Sequence, residues 1–187
     1  MTDLSALEDR LKRCKLLFLD FDGVLTDNRV IVSETGLESV ICDRSDGLGI
    51  RLLRELTDVR IVIVSSEENC VVGARARKLN VDCIQNQANK VEVVRAELAR
   101  SGVAASDACY VGNDLNDIEC LDYVGTAIGV PNAPSAIWPH LDHVTSRPGG
   151  HGAVREVCDL ILRSKNVRTE RPERQKCDCQ TEMGESG

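Results

Sequence analysis

Aromatic residues are almost missing from this chain. Two Phe, two Tyr and one Trp make up 3% of its 187 residues, so a core has to be built from Val, Ile, Leu and Ala. Such a core suits a sheet covered by helices better than an aromatic-rich sandwich. No apolar stretch approaches the roughly 20 residues of a membrane span. The opening segment, Met1 to Arg13, is amphipathic and mixed in charge, without the apolar centre of a signal peptide. We therefore expect a cytoplasmic protein with no membrane partner. Basic charge is in deficit, with 23 Lys and Arg against 30 Asp and Glu for a net charge of −7. That balance argues against nucleic acid as the main partner, although a small anionic substrate needs only a local positive pocket. Cysteine is not scarce, at nine residues. Cys14, Cys42, Cys70, Cys83, Cys109, Cys120 and Cys158 are scattered one per segment, mostly in apolar runs, so they read as reduced thiols that pack as small hydrophobes. Cys177 and Cys179 form a Cys-x-Cys with no second ligand pair nearby, which makes a weak metal site.

The periodicity predicts a helical extension over residues 1–13, one domain over 14–166 and a charged, disordered tail over 167–187. Leu4, Leu7 and Leu11 stripe the first helix. Leu16 to Leu19 is a short run with the look of a strand covered on both faces. Val30 to Val32 and Val40 to Cys42 flank Ser33-Glu34-Thr35-Gly36 as a hairpin, too small to bury much alone. A helix opening at Asp46-Gly47 follows. Strands at 59–64, 81–84, 108–111 and 126–130 then alternate with helices at 67–79, 90–100, 115–121 and 152–162. Such alternation defines an α/β fold, a doubly wound parallel sheet with right-handed crossovers.

Ligands of such a sheet gather at the carboxyl ends of its strands. The first strand ends in Asp20, Asp22 and Gly23, with the two carboxylates projecting to one side. By themselves they make an acidic surface turn. The strand at 59–64 ends in Ser65-Ser66-Glu67, where Ser65-x-x-Glu68 also fits a helix capping box. The strand at 108–111 ends in Gly112-Asn113-Asp114 with Asp117 beyond, residues that equally suit helix caps. Lys90 stands in the first turn of a helix, where a cation opposes the helix dipole.

One chemistry uses all of these groups, namely phosphoryl transfer through a carboxylate. Asp20 attacks phosphorus to give an aspartyl-phosphate. Asp22 protonates the leaving alcohol and then activates water. Mg²⁺ offsets the repulsion between carboxylate and phosphate, while Ser65 and Lys90 hold the remaining oxygens.

These residues resemble the haloacid dehalogenase superfamily of phosphohydrolases. Its four signatures match Asp20-Phe-Asp-Gly-Val-Leu-Thr-Asp, Ser65, Lys90 and Gly112-Asn-Asp-Leu-Asn-Asp117, in order. The resemblance implies a Rossmann-like core, with the hairpin as a short flap in place of a large cap domain. It implies Asp20, Asp22, Ser65 and Lys90 as catalytic residues, and Asp20, Asp22 and Asn113 as Mg²⁺ ligands supported by Asp114 and Asp117. Many relatives carry Gly-Asp-Asp in the fourth signature, so Asn113 puts a neutral carbonyl donor at the ligand position. Ser65 and Ser66 stand where threonine and glycine are common.

Arg44 to Gly49, Ala74 to Leu79 and Gly149 to Asp159 narrow the resemblance to the phosphatases of eight- and nine-carbon keto sugar acids. That group implies a homotetramer whose hairpins join in a central barrel and whose sites are completed by neighbours, with Gly149 to Gly152 over an adjacent pocket. It implies Thr26, Asp46, Ser66, Glu67, Arg75, Lys78 and His151 as substrate contacts. Octulosonate enzymes tend to carry arginine where this chain has Glu67, so the expected substrate is a nonulosonate (KDN or sialate) 9-phosphate, with 3-deoxy-octulosonate 8-phosphate as the alternative. Dipole preference alone would also put Glu67 near the start of a helix and Lys78 near its end. A different class stays open, a non-catalytic tetramerising module that partners a CMP-sugar-acid synthetase. His140 and His143 read as surface residues, and Trp138 as a packing residue.

Overall fold

A computed structural model of the chain describes residues 4–167. In chain order its elements are α1 (Leu4–Arg13), β1 (Leu16–Leu19), β2 (Thr26–Val32), β3 (Glu38–Cys42), α2 (Arg44–Leu56), β4 (Arg60–Val64), α3 (Cys70–Leu79), β5 (Asp82–Ile84), α4 (Lys90–Ser101), β6 (Ala108–Gly112), α5 (Ile118–Tyr123), β7 (Thr126–Gly129), β8 (His143–Val144) and α6 (Ala153–Ser164). β1 lies inside a six-stranded sheet of order β5-β4-β1-β6-β7-β8 in which every neighbouring pair is parallel. The α/β doubly wound sheet expected from the alternating elements is therefore the fold.

Alternate residues of β1 serve opposite faces of the sheet. Leu17 and Leu19 join Ile50 and Leu53 of α2 and Val154, Val157 and Ile161 of α6 in one core. Leu16 and Phe18 join Val91, Val94 and Leu98 of α4 and Leu121 of α5 in the other. All four residues of β1 are fully buried, which fixes the loop after it against movement along the strand. The first helix is no appendage, since Leu7 and Leu11 are buried in the first core. Val167 likewise packs on that core, while the rest of the expected tail, with Cys177 and Cys179, lies outside the described residues.

The hairpin is a separate two-stranded sheet, with Val30 opposite Val40 and Val32 opposite Glu38. It begins at Thr26 instead of Val30, because the register shifts between those residues and Asn28 adopts φ 66°. Val30, Ile31, Val32, Leu37 and Ile41 are all exposed on it. Three further boundaries differ from expectation. α2 opens two residues early on an Asp43 cap, which accepts from Ser45 N. α3 opens late, at Cys70, because Asn69 is its cap. The capping box proposed for Ser65 and Glu68 therefore does not form. β8 has only two residues, too short to read from periodicity. Trp138, expected as a packing residue, is 53% exposed. His140 pairs with Asp122 at 2.7 Å.

Candidate active site

Asp20 follows β1 directly, and its own N–H still bonds to Val111 O of β6 at 3.0 Å. The sheet thus carries it to the carboxyl edge with little freedom. Its Oδ1 accepts from Phe21 N at 2.7 Å and from Lys90 Nζ at 2.8 Å. Lys90, the first residue of α4, is 2% exposed and also donates to Asp117 Oδ1 at 2.8 Å. The helix dipole disfavours a cation there, but two buried carboxylates outweigh it. Burial works against the Lys90 charge, yet Asp20 and Asp117 push its pKa up, so it is an ammonium. Burial pushes the Asp20 pKa up, with the Asp117 charge acting in the same direction and the Lys90 ammonium holding it down.

The other Asp20 oxygen meets Asn113. The Asn113 amide lies 3.1 Å from Asp20 Oδ2 and 2.8 Å from the backbone oxygen of Asp22. Turned one way, its NH₂ donates to both. Turned the other, three oxygens converge with no proton between them, which is the donor set of a hard divalent cation. A Cβ at position 23 would sit 2.0 Å from the Asn113 amide nitrogen, so this approach requires Gly23, whose φ is +85°. Among the described residues no group of three or more His, Cys, Asp or Glu side chains could hold a metal. A cation here would depend on the carbonyl and amide oxygens, and the residues present fit Mg²⁺.

Asp22 is half-buried beside Asp20. Burial raises its pKa first, and the Glu67 charge raises it further. Thr26 shapes this turn from below, because its hydroxyl oxygen accepts from Gly23 N at 3.1 Å and Asn28 N at 3.2 Å. Its proton points to Asp22 Oδ1 at 3.4 Å. Ser65 Oγ accepts from Glu67 N at 3.0 Å, which leaves its own proton to donate. Asp114 and Asp117 do serve as a helix cap, and the cap is reciprocal. Asp117 Oδ2 accepts from Asn113 N at 2.9 Å and Asp114 N at 3.2 Å, so this fully buried carboxylate holds the loop that carries Asn113.

A cleft of about 510 Å³ opens over Asp20, Asp22, Ser65, Ser66, Glu67, Asn113 and Asp114. That volume suits a sugar-sized ligand. Five of its lining side chains are carboxylates (Asp20, Asp22, Glu38, Glu67 and Asp114) and one, Arg29, is basic. A phosphate dianion would meet net repulsion there unless a cation accompanied it.

The cleft does not take in every predicted contact. Arg75 and Lys78 line a neighbouring groove with Arg44 and Arg51, behind a wall of Val40 and Val71 shared by both cavities. Arg75 donates to Asp43 O at 3.0 Å, which ties α3 to the α2 cap. Asp46 is fully buried and accepts from Arg155 N at 2.8 Å, away from the cleft. His151 is exposed but does not line the cleft. Gly149 and Gly150 pack on their own chain's acidic turn, where a Cβ on Gly149 would come within 1.7 Å of Gly23 O. The residues missed are Asn28, Arg29, Glu38, Asn69 and Asn116. The nearest signal was the continuity of Asp27-Asn28-Arg29 with the acidic turn, which sends β2 up the cleft wall.

Residues 56–156 match the haloacid dehalogenase-like hydrolases. The chain belongs to the haloacid dehalogenase-like hydrolase family, and it is a phosphoric monoester hydrolase. Its relatives narrow the group further. The 3-deoxy-D-manno-octulosonate 8-phosphate phosphatase KdsC of Escherichia coli K12 is 34% identical over 154 residues, covering 82% of this chain and 81% of that protein. The same phosphatase from Moraxella catarrhalis, solved with magnesium ion, phosphate ion and KDO, has TM-score 0.83 at 32% identity, covering 86% of this chain and 92% of that one. A HAD family hydrolase of Streptomyces avermitilis has TM-score 0.79 at 38% identity, covering 81% and 87%.

Proposed function

We propose that the chain is an Mg²⁺-dependent phosphatase of a keto sugar-acid phosphate, working through an aspartyl-phosphate on Asp20. The observation that carries this is the convergence of Asp20 Oδ2, the Asp22 carbonyl and the Asn113 amide beside a Lys90-bound carboxylate. When bound there, Mg²⁺ supplies positive charge that lets the anionic phosphoryl group approach Asp20.

Asp20 attacks phosphorus, forming the Asp20–phosphorus bond as the ester bond breaks. Asp22, whose raised pKa lets it hold a proton, passes that proton to the departing alkoxide. Water then attacks the aspartyl-phosphate, gives a proton to Asp22 and restores the Asp20 carboxylate. Lys90 and Ser65 stabilise the transferring oxygens throughout. Asp114 and Asp117 act on Asn113 through the loop they cap.

The relatives' names favour 3-deoxy-octulosonate 8-phosphate as the substrate. Glu67 supports a second reading, a nonulosonate 9-phosphate. It lines the cleft from a loop, where no helix dipole accounts for it, and a carboxylate there suits a polyol or amine. A phosphate-release panel across both classes, with and without Mg²⁺, tests both readings. Release without Mg²⁺, or from neither class, would sink the proposal.

The proposed assembly is a cytoplasmic homotetramer joined through the hairpin. The exposed Val30, Ile31, Val32, Leu37 and Ile41 support it, since a small two-stranded sheet rarely leaves such a patch in water. Sedimentation of the wild type and Ile31→Lys tests it, and a wild type that sediments as a monomer would oppose it.

A further inference from the structure

We propose that Tyr110 is a positioning residue which, through Asp117, holds Lys90 in balance between Asp117 and Asp20. The inference rests on the phosphatase reading of this site. Tyr110 lies in the middle of β6, fully buried, with its ring stacked near Phe18 at a centroid distance of 6.4 Å. Packing alone would be served by phenylalanine, because a buried hydroxyl is costly unless it is bonded. This hydroxyl donates to Asp117 Oδ1 at 2.8 Å.

Asp117 is saturated as a result. Its Oδ1 takes Tyr110 and Lys90, and its Oδ2 takes the N–H groups of Asn113 and Asp114. Lys90 has three N–H donors and spends two, one on Asp117 and one on Asp20, each at 2.8 Å. The two carboxylates compete for one ammonium in a site with little water to screen them. The Tyr110 proton meets part of the Asp117 demand, so Lys90 is not drawn wholly away from Asp20. Without that proton, Asp117 keeps Lys90 as the sole donor to Oδ1 and pulls it toward β6. The third donor of Lys90, which neither carboxylate takes, moves with it. Tyr110 does not line the cleft, so substrate binding is left largely alone.

The test is Tyr110→Phe, assayed with Mg²⁺ and the best substrate of the wild type. We expect kcat to fall roughly tenfold, the scale of one hydrogen bond to a charged group, with KM within twofold and unfolding still cooperative. A kcat within twofold of wild type overturns the inference, and so does a rise in KM alone. If the variant does not fold, the wild-type chain labelled with 3-fluorotyrosine decides instead. It has two tyrosines, and Tyr123 at 37% exposure supplies a surface reference line. Orthovanadate with Mg²⁺ should shift the Tyr110 fluorine line and leave Tyr123 in place, and an unmoved Tyr110 line overturns the inference. A wild type that releases no phosphate from any sugar-acid phosphate defeats the reading of the site instead. The fluorine measurement needs no turnover, so the two failures stay distinct.

Discussion

Asn113 reaches Asp20 across a glycine, with its amide 3.1 Å from Asp20 Oδ2 and 2.8 Å from the Asp22 carbonyl. A neutral donor at this point limits how strongly the site attracts a cation, since affinity for hard cations rises with ligand charge. Asn113→Asp should therefore lower the Mg²⁺ concentration for half-maximal phosphate release by about tenfold. Asn113→Ala should raise it by a similar factor. Calorimetric Mg²⁺ titration of the same variants checks the effect without turnover. An alanine variant with wild-type Mg²⁺ dependence would remove Asn113 from the donor set.

Lys90 is the one ammonium between two buried carboxylates, with its side chain 1% exposed. Lys90→Met should abolish phosphate release. It should also destabilise the fold by about 3–5 kcal/mol in urea, the usual cost of stripping one partner from a buried ion pair. The loss should be smaller at pH 6 than at pH 8.5, because the orphaned carboxylates then escape their charge by taking protons. A stability change of the same size at both pH values would mean that the orphaned carboxylates take up no protons between pH 6 and pH 8.5.

Glu67 raises the Asp22 pKa, after burial, because the two carboxylates repel. Removing that charge in Glu67→Gln should lower the Asp22 pKa. In the proposed reaction Asp22 starts protonated, so the alkaline limb of kcat/KM should then move to lower pH. A limb that stays in place, measured on the same substrate, would separate Glu67 from the acid/base step.

Much of this site was legible because strand ends converge at one sheet edge. Leu16 to Leu19 announces a buried strand, and Asp20 and Asp22 follow at a spacing of two, so their place was determined by β1 alone. Ser65 and Asn113 were found the same way, and Lys90 as a cation in the first turn of a helix, against the dipole. What failed depended on side-chain direction or on tight local turns. Arg75 and Lys78 lie on α3 close to the cleft in sequence terms, but Val40 and Val71 stand between them and it. Asp46 reads as a polar residue at a helix start, yet the α2 cap at Asp43 turns it inward onto Arg155. Asn28 takes a left-handed conformation that no periodicity predicts, and with it the hairpin root moves onto the cleft wall. Tyr110 was indistinguishable from core, because its partner is seven residues away in sequence and on another element.

Asp46 gives a stability test independent of catalysis. It is fully buried, and Oδ2 is without a hydrogen-bond partner among the described residues. Burial pushes its pKa from 3.8 up to about 6, with the Arg155 N–H bond opposing the rise. A folded-state pKa above the unfolded value means that the protonated carboxyl favours folding. The contribution is therefore complete below pH 3.8 and is lost as pH climbs through about 6. At neutral pH the ionised group costs on the order of 3 kcal/mol relative to the protonated one. Asp46→Asn keeps an oxygen to accept from Arg155 N and cannot ionise. Its melting temperature should exceed that of the wild type at pH 7.5, and the advantage should shrink toward pH 4. Phosphate release should survive, since Asp46 does not reach the cleft. An equal shift in melting temperature at pH 4, 5.5 and 7.5 would show that Asp46 titrates alike in the folded and unfolded chains.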